Sequence, residues 1–192
     1  MAFNTEICKG LSDREVVTKA KQTVDYFACL VVKYEKRLLA YICTISATQC
    51  SHAEDVLQDA FVKIWKNLHA YDASLKFENW IFRIVHNETI NHIRKQHSHG
   101  KGESVPMDDT IQQIASNEDE TYNVEEPLLE LERALPKIKM EHREVLVLKF
   151  FENKSYEEIS DILKIPEGTV ATRINRAKKE LKQWVKNPIH IS

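Results

Sequence analysis

Residues 155–182 read SYEEISDILKIPEGTVATRINRAKKELK and predict two helices joined by a short turn. Ser155 and Glu158 have the spacing of a capping box, which marks the start of the first helix. The sequence at 165–168, Ile-Pro-Glu-Gly, predicts a tight turn. A long second helix is expected to follow over 169–186. Two helices in this order, joined by a short turn, form the helix-turn-helix pattern.

The second of these helices has an apolar seam and a basic face. The seam consists of Val170, Ile174, Ala177, Leu181 and either Trp184 or Val185. Polar side chains follow the opposite face at helical spacing: Thr172, Asn175, Arg176 and Lys179. Six Lys and Arg lie between Gly168 and Lys186, against one acid, Glu180. The face suits the major groove of DNA; the alternative is a solvated basic face on a helical hairpin.

The rest of the chain is predicted to be helical, with one unpatterned connector. Only 9 of the 192 residues are Gly or Pro, so tight turns are scarce and an all-α fold is favoured over sandwiches and barrels. Residues 98–126 contain one basic residue against eight acidic ones and show little periodicity. This predicts a flexible acidic linker between two small helical domains, 1–97 and 127–192. A short helix is expected within the linker, around 111–115.

A third helical pattern begins near residue 51. Ser51 and Glu54 again suggest a capping box, and an apolar stripe runs from Ala53 to Leu68. The other face presents Asp55, Gln58, Asp59 and Val62 at spacings of one helical face. Its carboxylates suit a basic partner helix, because arginine binds carboxylates through two hydrogen bonds. The alternative is a solvated face near a helix N-terminus.

The helix expected at 77–96 combines aromatic, amide and basic residues. Phe77 and Trp80 lie near its start, and polar side chains follow on another face: Arg83, Asn87, Asn91, Arg94 and Lys95. Such groups suit phosphate contact, base-edge contact and stacking of unpaired bases. The alternative for the two rings is a place in the hydrophobic core.

Several function classes have no support in the sequence. The four glycines fit neither a phosphate-binding loop nor a dinucleotide fingerprint, and no catalytic or metal-ligand motif is present. We therefore expect no catalytic residues, cofactor or metal site. No apolar run is long enough for a membrane helix, and the N-terminus does not resemble a secretory signal. We expect a cytoplasmic protein whose cysteines, at 8, 29, 43 and 50, are reduced thiols.

In order along the chain, three segments resemble the sigma-70 family of RNA polymerase sigma factors. The segment AEDVLQDAFVKIWKNL (53–68) is similar to the family's core-binding region 2.2, and ENWIFRIVHNETINHIRKQ (78–96) is similar to regions 2.3 and 2.4. Residues 134–182 resemble region 4 throughout. The two-domain pattern is that of the extracytoplasmic-function (ECF) subgroup.

The resemblance implies a transcription initiation factor that binds core RNA polymerase and directs it to promoters. The face at 55–62 would dock on a coiled coil of the polymerase clamp. The loop at 69–76 and the helix after it would open and read the minus-ten element, through Phe77, Trp80, Arg83, Asn87, Asn91, Arg94 and Lys95. A flipped base would enter a pocket at the junction of loop and helix.

The last helix would read the minus-thirty-five element as duplex, through Thr169, Thr172, Arg173, Asn175, Arg176 and Lys179. The implied partners are core polymerase and promoter DNA, with an anti-sigma factor as a partner common in the family. Two other function classes fit the sequence less well. A stand-alone helix-turn-helix regulator explains 155–186 equally well but not the acidic face or the aromatic–basic helix. A helical nucleic-acid enzyme lacks a convergent set of carboxylates or metal ligands.

Overall fold

A computed structural model describes residues 5–46, 50–99, 131 and 133–184, and all their regular structure is helical. The prediction of an all-α fold is therefore confirmed for these residues. The helices are α1 (Asp13–Ala20), α2 (Val24–Ser46), α3 (Ala53–Asn67), α4 (Phe77–His99), α5 (Met140–Leu146), α6 (Tyr156–Leu163) and α7 (Glu167–Leu181). Short 3₁₀ turns precede α1, α3 and α5 and follow α3, and a π-helical turn, Val147–Phe151, extends α5.

Capping boxes open two of the helices, α1 and α6, whereas the box predicted for α3 is absent. Ser155 accepts a hydrogen bond from the Glu158 amide at 3.1 Å, and the Glu158 carboxylate accepts one from the Ser155 amide at 2.8 Å, so the predicted box is confirmed. An equivalent box between Ser12 and Glu15 opens α1. The box predicted at Ser51 is wrong. The 3₁₀ turn Cys50–His52 runs directly into α3, so that His52 takes the cap position without a side-chain hydrogen bond.

The N-terminal unit, α1 to α4, is built around α2. The long helix buries one side along its whole length, including Tyr34, Leu38, Tyr41, Ile42 and Ile45, against α1, α3 and α4. The apolar stripe predicted for α3 is buried here as well. Because α4 extends to His99, the first two residues of the predicted linker belong to a helix. The remainder of that linker, with the helix expected at 111–115, lies outside the described residues.

The C-terminal unit, α5 to α7, contains the predicted helix-turn-helix. The seam of α7 is buried at Val170, Ile174, Ala177 and Leu181, whereas Trp184 is exposed. The turn differs from the prediction in one respect. The left-handed residue that ends α6 is Lys164, with φ 55°, whereas Gly168 lies inside α7, which begins at Glu167.

The cysteines depart from expectation. Cys8 and Cys29 form a disulfide that ties the N-terminal 3₁₀ turn to α2, and Cys43 is also disulfide-bonded. The prediction of reduced thiols is thus wrong for these three residues. The spacing of the cysteines in the sequence does not indicate which of them pair. The sulfur atoms of Cys8 and Cys29 come together only when the N-terminal turn packs against α2.

The two units share one apolar cluster. Ile159 and Ile162 of α6 and Val145 and Leu148 of the α5 region join the same buried cluster as α2 and α4. Helix α6 packs directly against α4. Among the helices with described residues, none is long and apolar enough to cross a bilayer.

Candidate functional site

The acidic face of α3 is open to solvent as predicted. Asp55, Gln58 and Asp59 are all exposed, and Val62 is 50% exposed at the end of the same stripe. The other side of the helix holds the buried residues Val56, Ala60 and Ile64, so the exposed side chains are held by a fixed backbone. Two carboxylates, an amide and an aliphatic group thus lie on one exposed surface, which can pair with basic side chains and bury some apolar area.

The aromatic residues at the start of α4 lie mainly in the core. Phe77 is only 5% exposed and meets the rings of Tyr34 and Tyr71 at centroid distances of 6.1 and 5.3 Å. In this arrangement Phe77 therefore has little exposed ring surface for the contact with unpaired bases that the sequence predicts. Trp80 is 8% exposed and packs on Tyr71 at 5.1 Å. The two rings close the core beneath the loop between α3 and α4.

The polar face of α4 divides into two parts. Asn87, Asn91, Arg94 and Lys95 are exposed, as their predicted role requires. Arg83 is half-buried, and its guanidinium lies 3.4 Å from the Asp161 carboxylate of α6. In this arrangement the N-terminal part of the face is therefore covered by the C-terminal unit.

A cleft of about 270 Å³ lies where α3, the following turn and α4 meet. Its walls include the remaining exposed edge of Trp80, the side chains of Asn67 and Asn87, and Ile84. At its rim Lys63 and Glu88 form an ion pair of 2.6 Å. An indole edge, an aliphatic wall and two amides can receive a planar heterocycle and hydrogen-bond its edge. We name this opening the Asn87 cleft.

On α7, as on α4, some of the residues predicted to face DNA are exposed and others contact protein. Thr172, Asn175, Arg176 and Lys179 are exposed, and Thr169 is partly buried. Arg173 instead turns toward α5, where it lies 2.9 Å from the Glu144 carboxylate and 3.4 Å from that of Glu141. The prediction that Arg173 contacts DNA is not met in this arrangement, because its guanidinium is held within the C-terminal unit.

A buried polar cluster that the sequence did not reveal connects four helices. The Tyr41 hydroxyl lies 3.2 Å from His86 Nδ1, and His86 Nε2 lies 3.8 Å from Glu144, which in turn pairs with Arg173. Burial lowers the pKa of His86 to about 4, with the positive charges of Arg173 and Arg94 as further causes. Burial raises the pKa of Glu144 to about 7, although Arg173 opposes that rise.

Arg143 joins the two units through backbone atoms. Its guanidinium donates to the carbonyl oxygens of Thr44 and Ile45 at the end of α2, at 3.3 and 2.8 Å. It also donates to the carbonyls of Leu135, Pro136 and Ile138. The oxygens at the end of α2 have no partner within their own helix, so a cation there satisfies them and complements the helix dipole. The adjacent charges Arg143-Glu144, directly before the apolar residues at 145–148, are a sequence signal for this contact.

Ion pairs extend the contact between the units. Lys154, which is 4% exposed in its side chain, lies 2.9 Å from Glu78 of α4. Arg37 of α2 lies 2.6 Å from Glu152, and Lys76 lies 2.9 Å from Glu158. These pairs surround the apolar contact of α4 with α6. The side of α4 that carries Glu78 and Arg83 therefore faces the C-terminal unit.

Comparison with known proteins agrees with the two-unit organisation. The family models of sigma-70 region 2 and sigma-70 region 4 match residues 30–99 and 128–181. SigM of Bacillus subtilis, an ECF RNA polymerase sigma factor, is 31% identical over 143 residues, covering 72% of this chain and 83% of SigM. SigW of the same species, also an ECF RNA polymerase sigma factor, is 29% identical over 170 residues, covering 85% of this chain and 90% of SigW.

Two solved structures share the fold. One is the sigma factor RpoE in complex with the anti-sigma factor NepR from Bartonella quintana, with a TM-score of 0.65, 23% identity, and coverage of 82% of this chain and 95% of the other. The second is CnrH in complex with the cytosolic domain of CnrY, with a TM-score of 0.63, 22% identity, and coverage of 89% and 95%.

Proposed function

Because this chain belongs to the ECF subgroup of the sigma-70 family, we propose that its exposed faces divide the work of promoter recognition between the two units. The protein is a transcription initiation factor that binds core RNA polymerase and directs it to promoter DNA. One observation carries the division. The acidic face of α3 and the Asn87 cleft lie on the N-terminal unit, whereas the exposed basic face of α7 lies on the C-terminal unit.

The acidic face of α3 is the surface that docks on the polymerase. Asp55 and Asp59 offer carboxylates to a basic coiled coil, and Val62 adds apolar area at the end of the face. Charge-assisted pairs of this type direct association and fix its register. The catalysis then belongs to the polymerase, and the chain has no catalytic role of its own. Its place of action is the cytoplasm, where promoter DNA and polymerase are found.

The Asn87 cleft receives one flipped base of the minus-ten element. The Asn87 amide can donate to and accept from a base edge, and the indole edge of Trp80 forms part of the wall. Asn91, Arg94 and Lys95 continue along the exposed side of α4 and follow the strand. Phe77 supports the cleft from the core instead of contacting a base.

Helix α7 reads the minus-thirty-five element in the major groove. Arg176 has the group that recognises guanine through two hydrogen bonds, and Asn175 and Thr172 offer smaller polar groups beside it. Lys179 lies one turn further on, where a phosphate contact is expected. Arg173 positions α7 against α5 through its carboxylate partners.

The covered part of α4 implies a rearrangement between the units before promoter binding. Arg83 reaches DNA only after its contact with Asp161 is broken. An anti-sigma factor is a fitting partner for the arrangement described, because a structural relative is a sigma factor in complex with the anti-sigma factor NepR.

Run-off transcription with purified core polymerase tests the function. Promoters are selected from a genomic library by binding to the reconstituted holoenzyme. We expect transcripts only when this chain and core are both present. If the chain acts only on polymerase that already carries another sigma factor, it is a stand-alone regulator and the proposal fails.

Two variants test the sites. Asp59→Arg combined with Gln58→Ala should weaken core binding by about 2–5 kcal/mol, whereas Glu35→Arg, the same kind of charge reversal on the exposed side of α2, should not. Asn87→Ala should reduce permanganate reactivity of the melted strand more than closed-complex binding. Unchanged competition for core, or unchanged reactivity, would contradict the respective site.

A further inference from the structure

The disulfide between Cys8 and Cys29 lies in the wall of an open cleft. The cleft has a volume of about 340 Å³, and Lys9, Leu11 and Val32 line it together with the two cysteines. Cys8 is partly exposed, whereas Cys29, on α2, is only 8% exposed. A small thiol that enters the cleft therefore meets Cys8 as the more accessible half of the bond.

The N-terminal unit has an extensive core besides this bond. Helix α1 begins with its own capping box and buries Val16, Val17 and Ala20 against α2. The rest of the core comes from α2, α3 and α4. Very small domains need a disulfide because they bury too little apolar surface, whereas a unit of about 95 residues does not. The bond can therefore open and close while the unit stays folded.

The place of action favours a reversible bond over a permanent one. The function proposed above places this chain in the cytoplasm, where small thiols and dithiol proteins keep most cysteines reduced. Disulfides that form there are mostly transient and serve catalysis or redox sensing. The match to sigma-70 region 2 begins at residue 30, so both cysteines lie outside the pattern by which this chain matches the family.

Helix α1 is joined to the loop between α3 and α4 by hydrogen bonds. Lys21 follows the last residue of α1, and its ammonium group donates to the carbonyl oxygens of His69 and Tyr71 at 3.5 and 3.4 Å. Ala70, between these two residues, lines the Asn87 cleft. The position of α1 therefore affects the loop that borders the proposed base-binding cleft.

A second connection runs through the core. The Tyr34 hydroxyl of α2 donates to the Asp13 carboxylate at the start of α1, at 2.5 Å. The Tyr34 ring lies 6.1 Å from that of Phe77, which lies 5.7 Å from Trp80 in the wall of the cleft. Rings packed in this way shift together, because a core at native density leaves no room for independent movement. The contact of α1 with α2 is thus coupled to the cleft wall.

We propose that Cys8 and Cys29 form a reversible thiol–disulfide site that exchanges with small disulfides and dithiols, and that the oxidised pair favours promoter opening. The inference rests on the function proposed above and adds a redox control to it. In the oxidised protein the N-terminal 3₁₀ turn is anchored to α2, which holds α1 in place and keeps its contacts with the loop and the cleft wall. In the reduced protein these contacts are formed for a smaller part of the time.

Oxidation of the pair is a two-electron exchange. The Cys8 thiolate attacks one sulfur of oxidised glutathione, and the other half leaves as a thiolate that takes up a proton. The Cys29 thiolate then attacks the Cys8 sulfur and displaces the second glutathione, so that two electrons and two protons have passed to the oxidant. A dithiol reverses both steps: one thiolate attacks Cys8, Cys29 leaves and is protonated, and the second thiolate releases Cys8 as the reductant forms its own disulfide.

Thiol titration and hydrogen exchange of the full chain test the site. Cys43→Ser with Cys50→Ser leaves the pair at 8 and 29 as the only cysteines. Alkylation and mass spectrometry across glutathione buffers should show conversion between the dithiol and the disulfide. The bond joins residues 21 positions apart, so its loss releases the segment between them. We expect the amides of α1 to exchange roughly 10- to 100-fold faster in the reduced protein, and reoxidation to restore their protection.

Permanganate footprinting with the reconstituted holoenzyme tests the effect on promoters. At equal occupancy of core polymerase, the oxidised protein should give several-fold higher reactivity of the melted strand than the reduced protein. Cys8→Ser with Cys29→Ser should behave as the reduced protein in either buffer, which separates this effect from any action of the reagents on the polymerase.

A matched pair of double variants tests the coupling. Tyr34→Phe with Lys21→Ala removes both connections from α1 to the loop and cleft wall, so the pair should still titrate but promoter opening should no longer respond. Tyr26→Phe with Lys19→Ala removes another tyrosine–lysine pair of α1 and α2, in which the ammonium group lies over the ring, and should keep the full response.

Three results overturn the proposal. The pair stays in one state in every glutathione buffer, or it converts without changing the permanganate reactivity, or the response survives in Tyr34→Phe with Lys21→Ala. In each case, transcripts that require this chain and core preserve the function proposed above. If neither redox form directs core to a promoter, that function fails and the promoter part of this inference with it, whereas thiol titration and hydrogen exchange still decide whether the site is reversible.

Discussion

The buried pair His86 and Glu144 is predicted to keep one proton through folding but to move it from one residue to the other. Between pH 4.5 and 6.5, their ordinary pKa values, the unfolded chain carries this proton on His86. In the folded protein the pKa of His86 falls to about 4 and that of Glu144 rises to about 7, so the proton resides on Glu144. Because both states bind one proton, the pair contributes no pH dependence to stability in this range.

If either residue of the pair is replaced, the free energy of unfolding should depend on pH through the residue that remains. Each pKa differs from its ordinary value by about 2.5, which corresponds to about 3 kcal/mol. Glu144→Gln leaves His86 with a lowered pKa, so stability is complete above pH 6.5 and is lost as the pH falls toward 4. His86→Gln leaves Glu144 with a raised pKa, so stability is complete below pH 4.5 and is lost as the pH rises toward 7.

Urea unfolding followed by circular dichroism at several pH values between 4.5 and 7 measures the effect. Each result is taken as the difference from the unmodified protein, so that the other titrating groups cancel. The two differences should slope in opposite directions, by about 3 kcal/mol across the range. Glu157→Gln, at an exposed position of α6, is the matched acid-to-amide control outside the buried cluster. Parallel or flat differences for the two buried variants would refute the reasoning.

Three further predictions concern the C-terminal unit. Lys164→Gly should raise the free energy of unfolding by about 0.5–1 kcal/mol in thermal denaturation, because φ 55° strains a residue that has a Cβ. Asn153→Gly, at the same φ, should raise it less, because asparagine adopts this backbone region more readily than lysine. Arg143→Ala should cost about 3 kcal/mol or more in urea unfolding, since it leaves buried carbonyl oxygens without donors. Arg176→Ala should weaken binding to a minus-thirty-five duplex by roughly 1–3 kcal/mol and relax base preference, whereas Lys179→Ala should weaken all duplexes alike and flatten the salt slope.

Local patterns determined much of the architecture. Helical periodicity placed α3 and α7, and the capping box at Ser155 fixed the start of α6, because these signals act within one or two turns of chain. The sequence also predicted the exposed faces at 55–62 and 172–179, because the side of a helix opposite a continuous apolar seam is open to solvent. The order of the family motifs then indicated polymerase and promoter as partners.

Periodicity alone did not distinguish rings that face a ligand from rings that close a core. Phe77 and Trp80 occur beside basic and amide residues in the sequence, yet both rings are buried and pack against Tyr71. Arg173 lies among DNA-facing residues by number, but Glu144 draws its guanidinium toward α5. In each case the deciding partner comes from another segment of the chain.

The sequence by itself determined that the chain forms amphipathic helices in two groups, and which polar faces those helices present, because both depend on residues three or four positions apart. Only the tertiary structure decided how the groups meet, which cysteines pair and which titratable side chains lose their water. Arg143 at the end of α2, and His86 beside Glu144, bring together residues at least 58 positions apart. Such contacts leave no periodic trace, since their energy depends on burial and geometry that exist only after the helices have packed.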